Sequence, residues 1–266
     1  MIHFDCHAHV FENLVSIPGA RYTPKQPAPL AAWKKNLTKH RLKGGVIVQV
    51  SFLGTDNSEL CAALSKLDKS RFAGVGVVAI DVDEAELDRL ISAGIRGFRW
   101  NLVRDGEVPD ITSSEVQSFF AKLRQRNLHL EIHLEGPRLA SHLGVLSDQG
   151  VNLVIDHFGL PSDSHPDADP FINAVKKQRD CSNLFVKFAA HYRSGFGLVS
   201  HAKALLELLE DGHIVWGSDW PHTQHENSVC YSETWDAVVQ ADSFSDAAAA
   251  KTLFGLTVSQ SANHSD

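Results

Sequence analysis

The chain has 266 residues, 43% of them hydrophobic and 21% charged, with a formal net charge of −7 at neutral pH. This length suits one α/β barrel, and the hydrophobic share is enough for a sizeable core. The acidic balance excludes the basic footprint of a nucleic-acid or anionic-membrane partner, and no run of 18 apolar residues offers a membrane span.

A first strand is expected within residues 1–10. Alternation there puts His7 and His9 on one side with Asp5, and Phe4, Cys6 and Ala8 on the other. Two imidazoles at that spacing can share one metal ion or one substrate oxygen. A Pro-rich loop over 21–29 carries Tyr22, after which Leu30, Trp33, Leu37 and His40 recur at helical spacing, with Gly44-Gly45 read as the stop. Residues 46–51 form a near-continuous apolar strand of the kind that parallel sheets bury on both faces. Asn57 or Ser58 caps the next helix, which carries Leu60, Leu64 and Leu67.

Strand 72–80 leads to a helix opened by Asp83 and stopped at Gly94. Strand 95–102 is followed by the capping box Thr112-Ser113-Ser114-Glu115, with Val116, Phe119, Phe120 and Leu123 on one helical face. Strand 128–134 precedes a helix with Leu139, Leu143 and Leu146 that ends at Gly150. Strand 151–156 precedes a helix started by Asp169-Pro170. Strand 184–188 and helix 198–209 follow, then strand 214–218, helices near 232–241 and 245–254, and a polar tail over 259–266. Eight strand–helix repeats predict an α/β fold, a single (β/α)8 TIM barrel over residues 1–258. An open doubly wound sheet is the alternative, but no G-x-G-x-x-G follows any strand.

Barrel enzymes carry their chemistry at the C-terminal ends of the strands. Those ends hold His7 and His9, Ser51, Asp81, Arg96 and Arg99, Glu131 and His133, Asp156 and His157, Lys187 with Tyr192 and Arg193, and Asp219 with His222. A purely structural barrel fills these positions with branched apolar residues, so the concentration predicts a polar pocket. Arg96 and Arg99 lie three apart, so at most one faces the interior, and Arg99 is the expected one. Asp81 and Asp156 also suit loop capping, Glu131 a pairing with arginine, and Lys187 a buried ion pair. His129, His142, His165, His191, His201 and His225 are expected to be surface or structural residues. Cys6, Cys61, Cys181 and Cys230 have no C-x-x-C or finger spacing, and the start shows no secretory pattern, so structural thiols in a reduced, cytoplasmic setting are expected.

Three ordered motifs carry a family likeness: Asp5-Cys6-His7-Ala8-His9, Ile155-Asp156-His157-Phe158-Gly159 and Trp216-Gly217-Ser218-Asp219-Trp220-Pro221-His222. With Lys251-Thr252-Leu253-Phe254-Gly255-Leu256 as a closing helix, the chain resembles the amidohydrolase superfamily along essentially its whole length. Gly94-Ile95-Arg96-Gly97-Phe98-Arg99-Trp100-Asn101, Tyr22-Thr23-Pro24 and Tyr192-Arg193 make it similar to the branch of 2-pyrone-4,6-dicarboxylate lactonase and sugar lactonases. The resemblance implies a hydrolase that opens a carboxylate-bearing lactone. Asp219 would be the general base and His7, His9 and His157 would polarise the carbonyl. Tyr22, Ser51, Arg99, Arg193 and His222 would bind a small anionic substrate.

Many members of the superfamily use zinc or another divalent ion, whereas this branch is thought to need no cofactor, and the metal-free form is the first expectation. The alternative is a metal-dependent amidohydrolase or decarboxylase on an acidic substrate, with His7, His9, His133 and Asp219 as ligands. Leu160 stands where relatives commonly carry a basic residue, a departure that bears on the doubly charged pyrone substrate.

Overall fold

The computed structural model describes residues 1–178, 180–209, 211–235, 238, 240 and 244–258. Its strands are β1 Phe4–Ala8, β2 Gly44–Val48, β3 Phe72–Gly76, β4 Ile95–Asn101, β5 His129–His133, β6 Leu153–Ile155, β7 Leu184–Ala189 and β8 Ile214–Gly217. They pair in parallel in the order β1 to β8. The ring closes just past the last strand, where the His9 amide donates to the Trp220 carbonyl at 2.7 Å and the Asp219 amide to the His7 carbonyl at 2.8 Å. This is the (β/α)8 barrel that the repeat pattern predicts.

Helices α1 Leu30–Lys39, α2 Ser58–Leu64, α3 Glu84–Ala93, α4 Ser114–Gln125, α5 Gly136–Ser147, α6 Pro170–Lys177 and α7 Val199–Leu208 alternate with the strands, and α8 Ala247–Phe254 follows later. Local signals set several of their ends. The Asp83 carboxylate accepts from the Glu86 amide, and Asp169 accepts from the Phe171 and Ile172 amides, satisfying donors a helix start leaves open. Gly94 takes the left-handed conformation that stops α3. In the capping box the hydroxyl that caps α4 is that of Ser113, bonded to the Val116 amide, rather than that of Thr112.

Other expectations change as well. Gly44 and Gly45 do not stop α1, which ends at Lys39; they begin β2. A Cβ on Gly44 would lie 1.9 Å from the Arg71 carbonyl oxygen, and one on Gly45 2.3 Å from that of Asp5, so close strand approach is what demands glycine there. Neither Asn57 nor Ser58 caps α2 through its side chain; Asn57 instead receives the Val77 amide and donates to the Val77 carbonyl. The helix expected near 232–241 begins as a 3-10 turn, Tyr231–Trp235, with most of its remainder outside the described residues, as is the 259–266 tail.

The interior is layered. Phe4, Cys6, Val46, Val48, Val75, Val154, Phe185 and Val215 pack with Ala250, Leu253 and Phe254 of α8, which plugs the barrel below. The larger apolar layer lies between strands and outer helices, with Trp33, Leu87, Phe119, Leu139, Val175 and Leu205 among its members. Above the plug the interior turns polar.

The register explains how β1 serves both zones. Asp5 pairs with Gly45 and Ala8 with Ile47, so β1 holds one extra residue between those pairs. Such a bulge breaks strict alternation. Cys6 stays in the lower plug, while His7 enters the interior above it. Asp5 consequently does not share a side with the histidines. It accepts from Trp33 Nε1, Ser218 N, Ser218 Oγ and Tyr231 Oη at 2.7–2.8 Å.

Candidate active site

The floor forms where β1 meets the segment after β8. Asp219 follows β8 with a positive φ of 57°, an uncommon conformation for a side-chain-bearing residue. Its Oδ2 is fully engaged, accepting from Tyr192 Oη at 2.6 Å and from Arg193 Nε and Nη2 at 2.9 and 2.7 Å. Its Oδ1 lies 3.5 Å from His9 Nε2 and 3.7 Å from His7 Nε2. His157, in the turn after β6, brings its ring centroid to 4.8 Å from that of His7. One carboxylate oxygen is therefore clamped and the other faces two imidazoles, with the His157 ring packed against His7 beside them.

Electrostatics keep that carboxylate ionised. Burial by itself raises the Asp219 pKa, but the Arg193 guanidinium, donating to it from Nε and Nη2, holds it well below the usual range. Burial lowers His157 to about 4, against the raising pull of Asp219 and Asp156. Burial, then Lys187, pushes His7 well below its ordinary value, and burial, then Arg99, does the same to His133.

A second charged layer lies beside and beneath the floor. Arg99 Nε donates to Asp156 Oδ2 at 2.7 Å, and Arg99 Nη2 meets His133 Nδ1 at 3.0 Å. Lys187, fully buried, sits 2.5 Å from Glu131 Oε1, and His129 Nε2 lies 3.3 Å from the same oxygen, so Glu131 is neither solvated nor paired with an arginine. Asp156 caps no turn with its side chain; burial would raise its pKa, but Arg99 and Lys187 hold it well below the normal range. His129 is buried at the base, bonded to the Leu253 carbonyl of α8.

Above the floor a cavity opens at the strand mouths. Of the residues expected to act, His9, Tyr22, Ser51, Arg99, His157, Arg193 and Asp219 line it, as does His133. His7 is fully buried in the floor, with Nε2 3.7 Å from the open Asp219 oxygen. His222 is buried behind Tyr192, with Nδ1 3.4 Å from its hydroxyl, and does not line the cavity. Arg96 turns onto the Ile91 and Ile95 carbonyls, Asp81 is exposed, Leu160 is half-buried, and none of the three lines the cavity. The loops are tied over the opening: Tyr22 Oη donates to Glu226 at 2.6 Å, and Arg21 reaches the Val103 carbonyl.

Arg21, Asn101 and Arg104 also line the cavity and escaped the reading of the strand ends. Asn101 lies two residues beyond Arg99 on the same strand, so period-two alternation pointed to it. Arg21 and Arg104 sit in loops, where no periodicity speaks. Four arginines thus line a cavity whose floor carries one carboxylate, and Arg99 and Arg193 among them are already paired with Asp156 and Asp219.

Among the described residues, His7, His157 and Asp219 present donor atoms within 4.8 Å of one another, a spacing that a divalent ion can bridge. His133 belongs to a different group, with Asp156 and His157, and its Nδ1 already faces Arg99. His7 fits poorly as a ligand. The Lys187 ammonium, 3.2 Å from its Nδ1, competes with Asp156 Oδ1 at 3.4 Å for the place where metal-bound histidines usually donate to an acceptor.

The amidohydrolase family model matches residues 4–255. A 2-pyrone-4,6-dicarboxylate hydrolase of Comamonas testosteroni is 27% identical over 239 residues, covering 82% of this chain and 76% of that protein. A crystal structure of a probable 2-pyrone-4,6-dicarboxylic acid hydrolase from Acinetobacter baumannii, with citric acid bound, superposes with a TM-score of 0.79 at 31% identity, over 91% of this chain and 92% of that one. An amidohydrolase from Burkholderia multivorans with bound zinc shares the fold at 18% identity and a TM-score of 0.73, over 96% of each chain.

Proposed function

The chain belongs to the amidohydrolase family and is a hydrolase, and from that premise we propose that it opens the ring of a small lactone bearing at least one carboxylate. The observation that carries this reading is the divided Asp219 carboxylate, with Oδ2 clamped by Tyr192 and Arg193 and Oδ1 free on the floor of an arginine-walled cavity.

In this mechanism Arg99 and Arg193 hold the substrate carboxylate, helped by Tyr22 and Ser51, and Arg21 and Arg104 add positive charge at the rim. The lactone carbonyl then faces the histidines. Asp219 Oδ1 takes a proton from water as the water oxygen bonds to the carbonyl carbon, and the imidazole donors meet the oxyanion that forms. Collapse of that intermediate breaks the ring C–O bond. The proton held by Asp219 passes to the leaving oxygen, which yields a hydroxy acid with one new carboxyl group. His222 serves from behind, through Tyr192, rather than by touching substrate.

A second reading, a divalent ion held by His7, His157 and Asp219, is favoured by the convergence of those donors and opposed by the Lys187 ammonium on His7. A panel of catabolite and sugar-acid lactones, assayed by acid release with and without added zinc and after chelation, distinguishes the two. Asp219→Asn is expected to lose about 10²–10⁴-fold in kcat, the usual worth of a positioned base, while retaining substrate binding. Wild-type turnover in that variant would sink the mechanism. Metal at one equivalent, with activity abolished by chelation, would replace it with the second reading.

A further inference from the structure

We infer that Lys187 and the Val48 carbonyl hold the two histidines of β1 in opposite tautomers, His7 as a hydrogen-bond donor through Nε2–H and His9 as an acceptor through a bare Nε2. What the two groups then do rests on the lactonase reading above; the tautomers themselves rest on ring chemistry alone.

Lys187 Nζ lies 2.5 Å from Glu131 Oε1, 3.6 Å from Asp156 Oδ1 and 3.2 Å from His7 Nδ1. An ammonium has three protons and no lone pair, so a ring nitrogen bonded to it must accept. Asp156 Oδ1 lies 3.4 Å from the same nitrogen yet makes no hydrogen bond, which leaves Lys187 as its partner. A second positive charge this close to the ammonium is strongly disfavoured, so the ring is neutral and carries its single proton on Nε2. That nitrogen lies 3.7 Å from the open Asp219 oxygen.

His9 is built the other way round. Its Nδ1 lies 2.8 Å from the Val48 carbonyl oxygen, which can only accept, so the single proton of the neutral ring sits on Nδ1 and its Nε2 is bare. Nε2 and Asp219 Oδ1, 3.5 Å apart, are then two acceptors facing one space. A water there donates one proton to each, while His7 Nε2–H is left to meet the carbonyl oxygen. The two histidines divide the work: His9 orients the nucleophile beside the base, and His7 stabilises the oxyanion.

Lys187 does not line the cavity and touches no substrate; it is a positioning residue. It also opposes metal ligation by His7, because a histidine bound through Nε2 must place its proton on Nδ1, against the ammonium.

Ring ¹⁵N NMR of the full chain with labelled histidine, assigned with His7→Gln and His9→Gln, reads both tautomers directly. A protonated Nε2 with bare Nδ1 is expected for His7, and the reverse for His9. A shared tautomer, or a proton on His7 Nδ1, overturns the inference. Lys187→Met alone leaves the buried Glu131 carboxylate without its cation and with only His129 beside it, so Lys187→Met with Glu131→Leu is the functional variant. In it the His7 proton is expected to move to Nδ1, facing Asp156, and kcat to fall about 100-fold or more, the cost of losing one oxyanion donor, with KM changed far less. An unchanged His7 tautomer in that folded variant overturns the role of Lys187. Absence of lactone turnover by the wild type defeats the lactonase reading instead, and leaves the NMR result to decide the tautomers.

Discussion

Arg193 places two of its donors, Nε and Nη2, on a single oxygen of Asp219, and its side chain still reaches the cavity. In the proposed mechanism the guanidinium serves two carboxylates, the base and the one a substrate brings. Charged hydrogen bonds of this kind contribute about 1.5–3 kcal/mol each, or roughly 10–100-fold. Arg193→Gln is expected to lower kcat/KM by that factor for a carboxylated lactone and by less for its neutral methyl ester. Equal losses on both substrates, measured side by side, would remove Arg193 from substrate binding.

Acid should weaken the fold before the carboxylates titrate. His157 and His222 are held at about 4, chiefly by burial, against an ordinary value of 6.5. Both are neutral in either state at high pH. As pH falls from 6.5 towards 4 the unfolded chain takes up protons that the native one refuses, so stability declines by up to about 1.4 kcal/mol per pH unit for each group. The lowered carboxyls of Asp156 and Asp219 add to the loss only below their ordinary value of 3.8. Urea unfolding at pH 7.5, 6 and 5 should show this slope; a flat profile would mean the buried rings are already charged in the native protein.

Gly217 faces His7 so closely that a Cβ there would lie 2.4 Å from the His7 Cβ and 2.7 Å from its amide nitrogen. Gly217→Ala should displace His7, costing about 1–3 kcal/mol through overpacking, with a drop in kcat beyond the lost folded fraction. Thermal unfolding and kcat measured on the same sample separate the two effects.

Asp5 provides the opposite case, a motif residue with a structural task. Asp5→Asn removes acceptors from Trp33, Ser218 and Tyr231, at about 1–3 kcal/mol for each buried donor left unpaired. The melting temperature should fall steeply while kcat of the folded fraction is retained. A selective loss of kcat would place Asp5 in the chemistry.

Most strands were legible because buried parallel strands are written as short apolar runs between helical patterns, and all eight overlap the expected ranges. Alternation also separated Arg99, which faces the interior, from Arg96, which does not. It failed on Asp5, because the extra residue between Asp5 and Ala8 belongs to the pairing of β1 with β2 and has no local signal. Gly44 and Gly45 misled for a related reason: their smallness answers the Arg71 and Asp5 backbones across the sheet. Arg21 and Arg104 reach the cavity from loops whose course is set by tertiary ties such as Tyr22 to Glu226. The significance of Lys187 lay hidden because only its position against His7 Nδ1 reveals it.

The seam between β1 and the segment after β8 has a consequence for how the protein is made. His7 and His9 come from the start of the chain, Asp219 from near its far end, and the backbone bonds that close the ring are those that bring them together. During synthesis the nascent polypeptide thus holds no catalytic unit until its last strand has emerged and docked. Fragments cut anywhere between should be inert apart and active only when reassembled, so that turnover itself becomes a reporter of ring closure.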